Sequence, residues 1–379
     1  MTFCVGLFLN TKVFEIFKLS SPETPKIWQM AASGGGIGGK KTEPLPLIEP
    51  RKKWSSSEIL DWLFVWSLSS EQKLREAEKN LLGHLATPYQ CFYINIGHVV
   101  GKSDRIWTLA MNTEETKHVP LVALHGRGSA LGSWLLNLDA LASQRPVFAI
   151  DMLGFGRSSR PMFSAKADLC EMQMVLALEL WREEMRLPQM ILLGHCLGAF
   201  VATSYALAYP HRVKHLILAE PWGFEATPSK ALDMLNLISS FLNPYWVLWS
   251  VGPLASILLN HTDPHPRLKE QFRALLEDDL NHYLQQCKAF DPSGESAFQT
   301  LAQGQVSSHV REHWQRQSLM ERTNELPSNV GFTFICGTQS PMYALPHLAI
   351  VQGSGHYVHL EEPEEFNHHV LTICHTIDV

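Results

Sequence analysis

Residues 190–201, Met-Ile-Leu-Leu-Gly-His-Cys-Leu-Gly-Ala-Phe-Val, leave few folds open. The apolar run Met190 to Leu193 has the length of a buried parallel strand, and a helical pattern from Leu197 to Tyr209 follows almost at once. Between them stands Gly194-His195-Cys196-Leu197-Gly198. Two glycines around one central residue permit a strained strand-to-helix turn that lifts the central side chain above the sheet, the geometry of a nucleophile elbow. Serine usually occupies the centre; here it is Cys196. Small residues in a strand-turn-helix also arise from packing alone, so the rest of the chain must decide between catalysis and structure.

Further apolar runs lie at Val147 to Ile150, Leu216 to Ala219, Gly331 to Ile335 and Leu348 to Val351, with helical patterns at Glu171 to Met185 and Pro363 to Ile377. Strand-like runs at Gln90 to Ile96 and Asp104 to Asn112 open the domain, and Pro120-Leu-Val-Ala-Leu-His-Gly-Arg-Gly128 follows. Short apolar strands alternating with helices predict an α/β class fold, a mostly parallel sheet with helices on both faces. Ligands of such sheets sit at the carboxyl ends of the strands.

The alternation stops between Gly223 and Leu326, which predicts a mainly helical lid insertion over that edge. Met234 to Asn260 carries no charge but is broken by Asn236, Asn243, Pro244, Gly252 and Pro253, so it is expected to line the lid; a membrane-dipping surface is the next reading and a span the last. Arg267 to Gln286 is expected to be a charged amphipathic helix facing water. The predicted organisation is 1–50 flexible extension, 51–88 tryptophan-rich segment and helix, 89–224 first part of the core, 225–326 lid, and 327–379 last part of the core. Within the extension, Asn10, Lys12, Glu15 and Lys18 interrupt the apolar patch Phe3 to Leu9 and no small-residue cleavage site follows, which disfavours a secretory signal. Met30-Ala-Ala-Ser-Gly-Gly-Gly resembles the start of a soluble protein, leaving open whether residues 1–29 belong to the mature one.

Arg51-Lys52-Lys53 precedes Trp54, Trp62 and Trp66, a combination suited to an interfacial anchor: indole rings settle at headgroup depth and lysines attract anionic lipid. The same rings could instead cover the domain's own surface. Elsewhere 31 basic residues against 37 acidic ones give a net charge of −6, which offers no general field for nucleic acid. The seven cysteines are odd in number, scattered and without C-x-x-C spacing. They point to reduced thiols in a cytoplasmic protein, with neither a disulfide framework nor a zinc site, and no metal or cofactor is called for.

Two features fit the elbow. His125-Gly126-Arg127-Gly128 ends a strand where such folds supply an oxyanion-hole amide, here that of Arg127, with the other from Leu197. Gly126 and Gly128 are expected to let the chain approach a substrate closely. Gly353-Ser354-Gly355-His356 leaves the last strand, which makes His356 the candidate base among 18 histidines.

Asp151-Met-Leu-Gly-Phe-Gly-Arg-Ser-Ser-Arg-Pro161, Met190 to His195, Val213 to Phe224, Pro292-Ser-Gly-Glu-Ser-Ala-Phe298 and Gly355-His-Tyr-Val358 resemble the alpha/beta-hydrolase-domain-containing subfamily four/five, over roughly Trp54 to Asp378. That subfamily includes N-acylphospholipid lipases and a co-activator of the lipid-droplet triglyceride lipase. The resemblance implies an alpha/beta-hydrolase fold and lipid metabolism on droplet or membrane surfaces, through hydrolysis, acyl transfer or lipase activation. Implied partners are an acyl lipid, the droplet or membrane surface, and a lipase or droplet-coat protein. Lipase-like members carry serine at the elbow and the co-activator type asparagine, so Cys196 matches neither. The family's His-x-x-x-x-Asp, linked to lysophosphatidate acylation, is His356-Tyr-Val-His-Leu-Glu361 here.

Relatives place the triad acid after the penultimate strand, but residues 326 to 360 hold no Asp or Glu and the connection Gly337 to His347 is short. Glu220, ending its strand, is the best substitute by position; Asp151 fits a structural strand-end carboxylate and Glu361 a helix-start charge. The expected enzyme is an ester hydrolase or acyltransferase in which Cys196 attacks, His356 shuttles the proton and Glu220 orients it. A Cys/His pair needs an orienting acid less than Ser/His does, and an ion pair with His356 at the helix start would depress the Cys196 pKa. The competing expectation is a non-catalytic adaptor that binds acyl lipid and regulates a lipase.

Overall fold

A computed structural model of the chain describes residues 71–115, 117–224, 268–288, 290–308, 319–340 and 347–378. The chain divides into Met1–Trp54 and Ser55–Val379, and every described residue lies in the second unit. Trp54, Trp62, Trp66 and the uncharged stretch 234–260 fall outside the described residues.

Eight strands form one sheet: β1 Tyr89–Gly97, β2 Asp104–Met111, β3 Leu121–Leu124, β4 Val147–Ile150, β5 Met190–His195, β6 Val213–Ala219, β7 Gly331–Gly337 and β8 Leu348–Val351. Their order is β1-β2-β4-β3-β5-β6-β7-β8. From β4 to β8 every pairing is parallel, while β1 and β2 are antiparallel, as is β2 with β4. The short strands β3, β4 and β5 are buried throughout, which is why they are continuous apolar runs in sequence.

Because strand side chains alternate, β5 feeds two cores. Met190 and Leu192 join Leu124, Ile150 and Trp181 on one face; Ile191 and Leu193 join Leu121, Trp134 and Phe366 on the other. The first face is covered by α3 (Ala167–Glu184), α4 (Leu197–Ala208) and α6 (Ser293–Ser308). Against the second pack α1 (71–82), α2 (Leu135–Leu141), α5 (Glu270–Lys288) and α9 (Pro363–Asp378). Of the short helices, α7 (Leu319–Thr323) joins the first face through Met320 and α8 (Val358–Glu361) the second through Val358 and Leu360.

The water-facing expectation for α5 holds for one side only. Leu276, Leu280, Tyr283 and Cys287 are buried at three- and four-residue spacing, and the Gly132 amide donates to the Tyr283 hydroxyl at 3.2 Å. Among the described residues no helix is long and apolar enough to cross a membrane.

Candidate active site

The elbow forms where the sequence places it. Cys196 adopts φ 50°, ψ −112°, a left-handed conformation that costs a residue with a β-carbon on the order of 1–3 kcal/mol and persists only when its surroundings impose it. The surroundings do. The Cys196 amide donates to the Ala219 carbonyl at 3.0 Å, and the Cys196 carbonyl accepts from Ala199 at 3.1 Å and Trp222 at 3.2 Å. The flanking glycines are dictated by contact: a β-carbon on Gly194 would stand 2.5 Å from the Ala199 nitrogen, and one on Gly198 would meet the Leu124 and His125 carbonyl oxygens, the latter at 2.7 Å.

Above the elbow, the backbone amides of Arg127 and Leu197 both reach the Cys196 sulfur. His125 braces this loop: its Nε2 accepts from the Met152 amide at 3.1 Å, which leaves Nδ1–H to donate to the Gly126 carbonyl at 2.7 Å. Asp151 accepts from the Leu131 and Arg157 amides, each at 2.7 Å, and is the structural carboxylate its position suggests. Gly126 is also held to glycine by a close contact. A β-carbon there would lie 2.6 Å from His195 Nδ1 and 3.3 Å from the Cys196 β-carbon, so this glycine admits the elbow itself. Gly128, at φ 65°, is required by its turn and packs against the Lys288 side chain.

His356 sits on the loop leaving β8, beside an array of imidazoles that sequence reasoning missed. His195 Nε2 donates to the His356 carbonyl at 2.9 Å, and the His195 ring lies 4.8 Å from that of His356 and 4.5 Å from that of His359. His359 is 1% exposed, rests 4.6 Å from Trp134, and has no hydrogen-bond partner on either ring nitrogen. Burial lowers all three rings, His359 to about 3 and His195 well below its ordinary value; His356 is lowered by burial and then by the Arg127 guanidinium. All three are therefore neutral near pH 7. Only the spacing His195-Cys196 and His356-x-x-His359 hints at this array, and nothing local says that the two pairs meet.

Among the described residues no hydrogen bond joins the His356 ring to Cys196 or to Glu220. The Glu220 carboxylate accepts from the Gly337 amide at 2.7 Å and the Ser340 hydroxyl at 2.9 Å, while its backbone, at φ 42°, donates to the Ile335 carbonyl at 3.0 Å. Burial raises its pKa to about 7. Glu361 accepts from the Gly355 amide at 2.6 Å, closing the His356 loop. No cluster of three His, Cys, Asp or Glu side chains is arranged to hold a metal among the described residues.

The thiol itself reverses the sequence expectation. Burial pushes the Cys196 pKa up, against the opposing pull of the Arg127 guanidinium and the two amides, and no imidazolium stands by to depress it. Iodoacetamide alkylation of Cys196, located by peptide mass mapping, is expected to be slow at pH 6, to accelerate only at alkaline pH, and to ignore His356→Ala. Fast labelling at pH 6 that depends on His356 would contradict this.

Residues 119–363 match the alpha/beta hydrolase fold family. Over 334 residues, 82% of its length, the chain is 36% identical to the 1-acylglycerol-3-phosphate O-acyltransferase ABHD5 of Mus musculus, covering 91% of that protein. Over the same span it is 34% identical to the (Lyso)-N-acylphosphatidylethanolamine lipase of Homo sapiens, covering 94%. Naproxen esterase (carboxylesterase NP) of Bacillus subtilis shares the fold with a TM-score of 0.56 at 16% identity, over 80% of this chain and 98% of that one.

Proposed function

Since the chain belongs to the alpha/beta hydrolase fold family, we propose that it performs acyl chemistry on (lyso)phospholipids or glycerolipids through Cys196. The observation that carries this reading is the elbow with two backbone amides converging on the Cys196 sulfur. The two curated relatives, named as a lysophosphatidate acyltransferase and an N-acylphosphatidylethanolamine lipase, supply the substrate class.

In the proposed cycle the Cys196 sulfur bonds to the carbonyl carbon as its proton passes to His356, and the carbonyl π pair moves to the oxygen held by the Arg127 and Leu197 amides. Collapse of the tetrahedral adduct expels the alcohol, which takes the proton back from His356 and leaves an acyl thioester. Water or the hydroxyl of a second lipid then attacks, His356 accepts its proton, the C–S bond breaks, and the sulfur is reprotonated. A neutral His356 is in the correct state to accept first. Its ring must swing to the sulfur as substrate enters, since catalytic hydrogen bonds often tighten only in the complex.

Glu220 acts at one remove in this scheme. It holds the turn at Gly337 and Ser340, and that turn in turn binds the His356 loop, Thr338 amide to Val351 carbonyl at 3.1 Å and Gln339 amide to Ser354 carbonyl at 3.2 Å. Trp54, Trp62 and Trp66, behind Arg51 to Lys53, are assigned to a droplet or membrane surface. The unbonded His356 ring favours a second reading, an adaptor that holds acyl lipid and regulates a lipase or docks on a droplet-coat protein.

A lipid-like fluorophosphonate or acyl thioester probe separates the two. Wild type is expected to take up label at Cys196 and Cys196→Ala to lose it entirely. Equal labelling of both would remove Cys196 from the chemistry and favour the adaptor.

A further inference from the structure

The loop that carries His356 is anchored at three consecutive residues, and each anchor reaches a different part of the fold. The Ser354 carbonyl accepts from the Gln339 amide, in the turn after β7, at 3.2 Å. The Gly355 amide donates to the Glu361 carboxylate of α8 at 2.6 Å. The His356 carbonyl accepts from His195 Nε2–H at 2.9 Å. Of these three bonds only the last ties the loop to the elbow, and its donor is the residue immediately before Cys196.

The His195 ring has little room to leave this bond. It is buried, and its Nδ1 edge abuts Gly126, where a β-carbon would stand 2.6 Å away. The His356, Tyr357 and His359 rings surround it at centroid separations of 4.8, 5.8 and 4.5 Å. Burial, and then the neighbouring His359 and His356, hold its pKa well below the ordinary value, so the ring is neutral. A neutral imidazole has a single N–H, and the His356 carbonyl fixes it on Nε2. A bond to the backbone also differs from a bond to the ring. A carboxylate on the His356 ring would fix its rotation, but the Glu220 and Glu361 carboxylates are directed to Gly337, Ser340 and Gly355 instead. A bond to the carbonyl holds the loop and leaves the ring free to turn.

We propose that His195 is a positioning residue, a latch that holds the His356 loop against the elbow so that the His356 ring can reach the Cys196 sulfur. The inference rests on the reading of Cys196 and His356 as the reacting pair. One hydrogen bond then sets the spacing of both, because its donor and the nucleophile are neighbours on the strained turn. His359 supports the latch from below: its ring lies between that of His195 and those of Trp134 and Phe366, at 4.5, 4.6 and 6.1 Å.

The pKa of His356 reports the latch without turnover. Burial and then Arg127 lower it, and the other ionisable rings facing it are His195 and His359. A loop released from the elbow admits water to the ring, so the value should rise towards the ordinary one of about 6.5. It is measured on the full-length protein by NMR titration of the ring resonances, with His356→Gln supplying the assignment. His195→Phe keeps an aromatic ring but no donor and is expected to raise the value. His195→Gln, whose amide replaces the Nε2–H, is expected to keep it at that of wild type. Labelling of Cys196 by the acyl thioester probe should fall on the order of 100-fold in His195→Phe, the cost of a misplacement of about 1 Å, and recover in His195→Gln. If His195→Phe does not fold, His195→Asn, whose amide is too short to reach the carbonyl, takes its place. A His356 pKa unmoved in the variant without the donor, or moved equally in both, would overturn the latch even where the thermal midpoint falls. Wild type that takes no label while His356 shifts as expected would overturn the chemistry at Cys196 and support the latch.

Discussion

Gly198→Ala is expected to lower the thermal midpoint by about 5–10 °C, from a cost of about 3 kcal/mol or more. The added methyl would meet the carbonyl oxygens of Leu124 and His125, and these are backbone atoms of β3 and the loop after it, which cannot rotate away. Relief comes only if α4 tilts off the sheet or β3 moves from β5. Either movement draws the Arg127 amide from the Cys196 sulfur, so the thiol should also titrate higher than in wild type. Gly353→Ala is the control. Gly353 has φ 76°, but no atom lies nearer than 3.9 Å to its would-be β-carbon, so only the backbone conformation is penalised, at about 1 kcal/mol. Equal midpoints for the two variants would show that the elbow yields where its contacts say it cannot.

Glu220→Gln is expected to make stability less dependent on pH. Burial raises the folded-state pKa of Glu220 from the ordinary carboxylate range to about 7. A carboxyl whose pKa is higher in the folded state favours folding while it is protonated, and that advantage fades as pH rises from about 4.5 through 7. At about 1.4 kcal/mol per pH unit of displacement, the loss amounts to roughly 3 kcal/mol. Glutamine keeps an acceptor for the Gly337 amide or the Ser340 hydroxyl and carries no titrating proton. Chemical denaturation at pH 5 and pH 8 should therefore show the variant gaining on wild type by about that amount. Asp151, raised to about 7 mainly by burial, titrates in the same window but is present in both proteins and cancels. An unchanged difference between the two pH values would mean that Glu220 is already ionised in the fold. If the proposed positioning role is correct, the variant also retains most of the Cys196 chemistry, because the hydrogen-bonded turn survives.

The sequence by itself determined the features whose causes are local. Val147 to Ile150 is a strand with the boundaries its apolar run predicts, because a strand buried on both faces has no polar positions to blur its ends. Gly194-x-Cys196-x-Gly198 specified the elbow, since only glycines fit where α4 crosses β3 and β5. Boundaries moved where capping and pairing decide them: α3 begins at Ala167, four residues before the predicted start, and β6 at Val213, three before. Only the tertiary structure decided the electrostatic state of the site. A thiol at a helix start suggests a low pKa, yet burial outweighs the amides and raises it. Glu220 lies at the end of β6 as its position implies, but its carboxylate is directed to Gly337 and Ser340 because β7 is the neighbouring strand. His359 shows no more in sequence than any other histidine, and it becomes part of the site because α8 folds it under His195 between Trp134 and Phe366. Hydrophobic period acts within a few residues of the chain; the partners of Glu220 come from residues more than a hundred positions away, and they exist only once the sheet has closed.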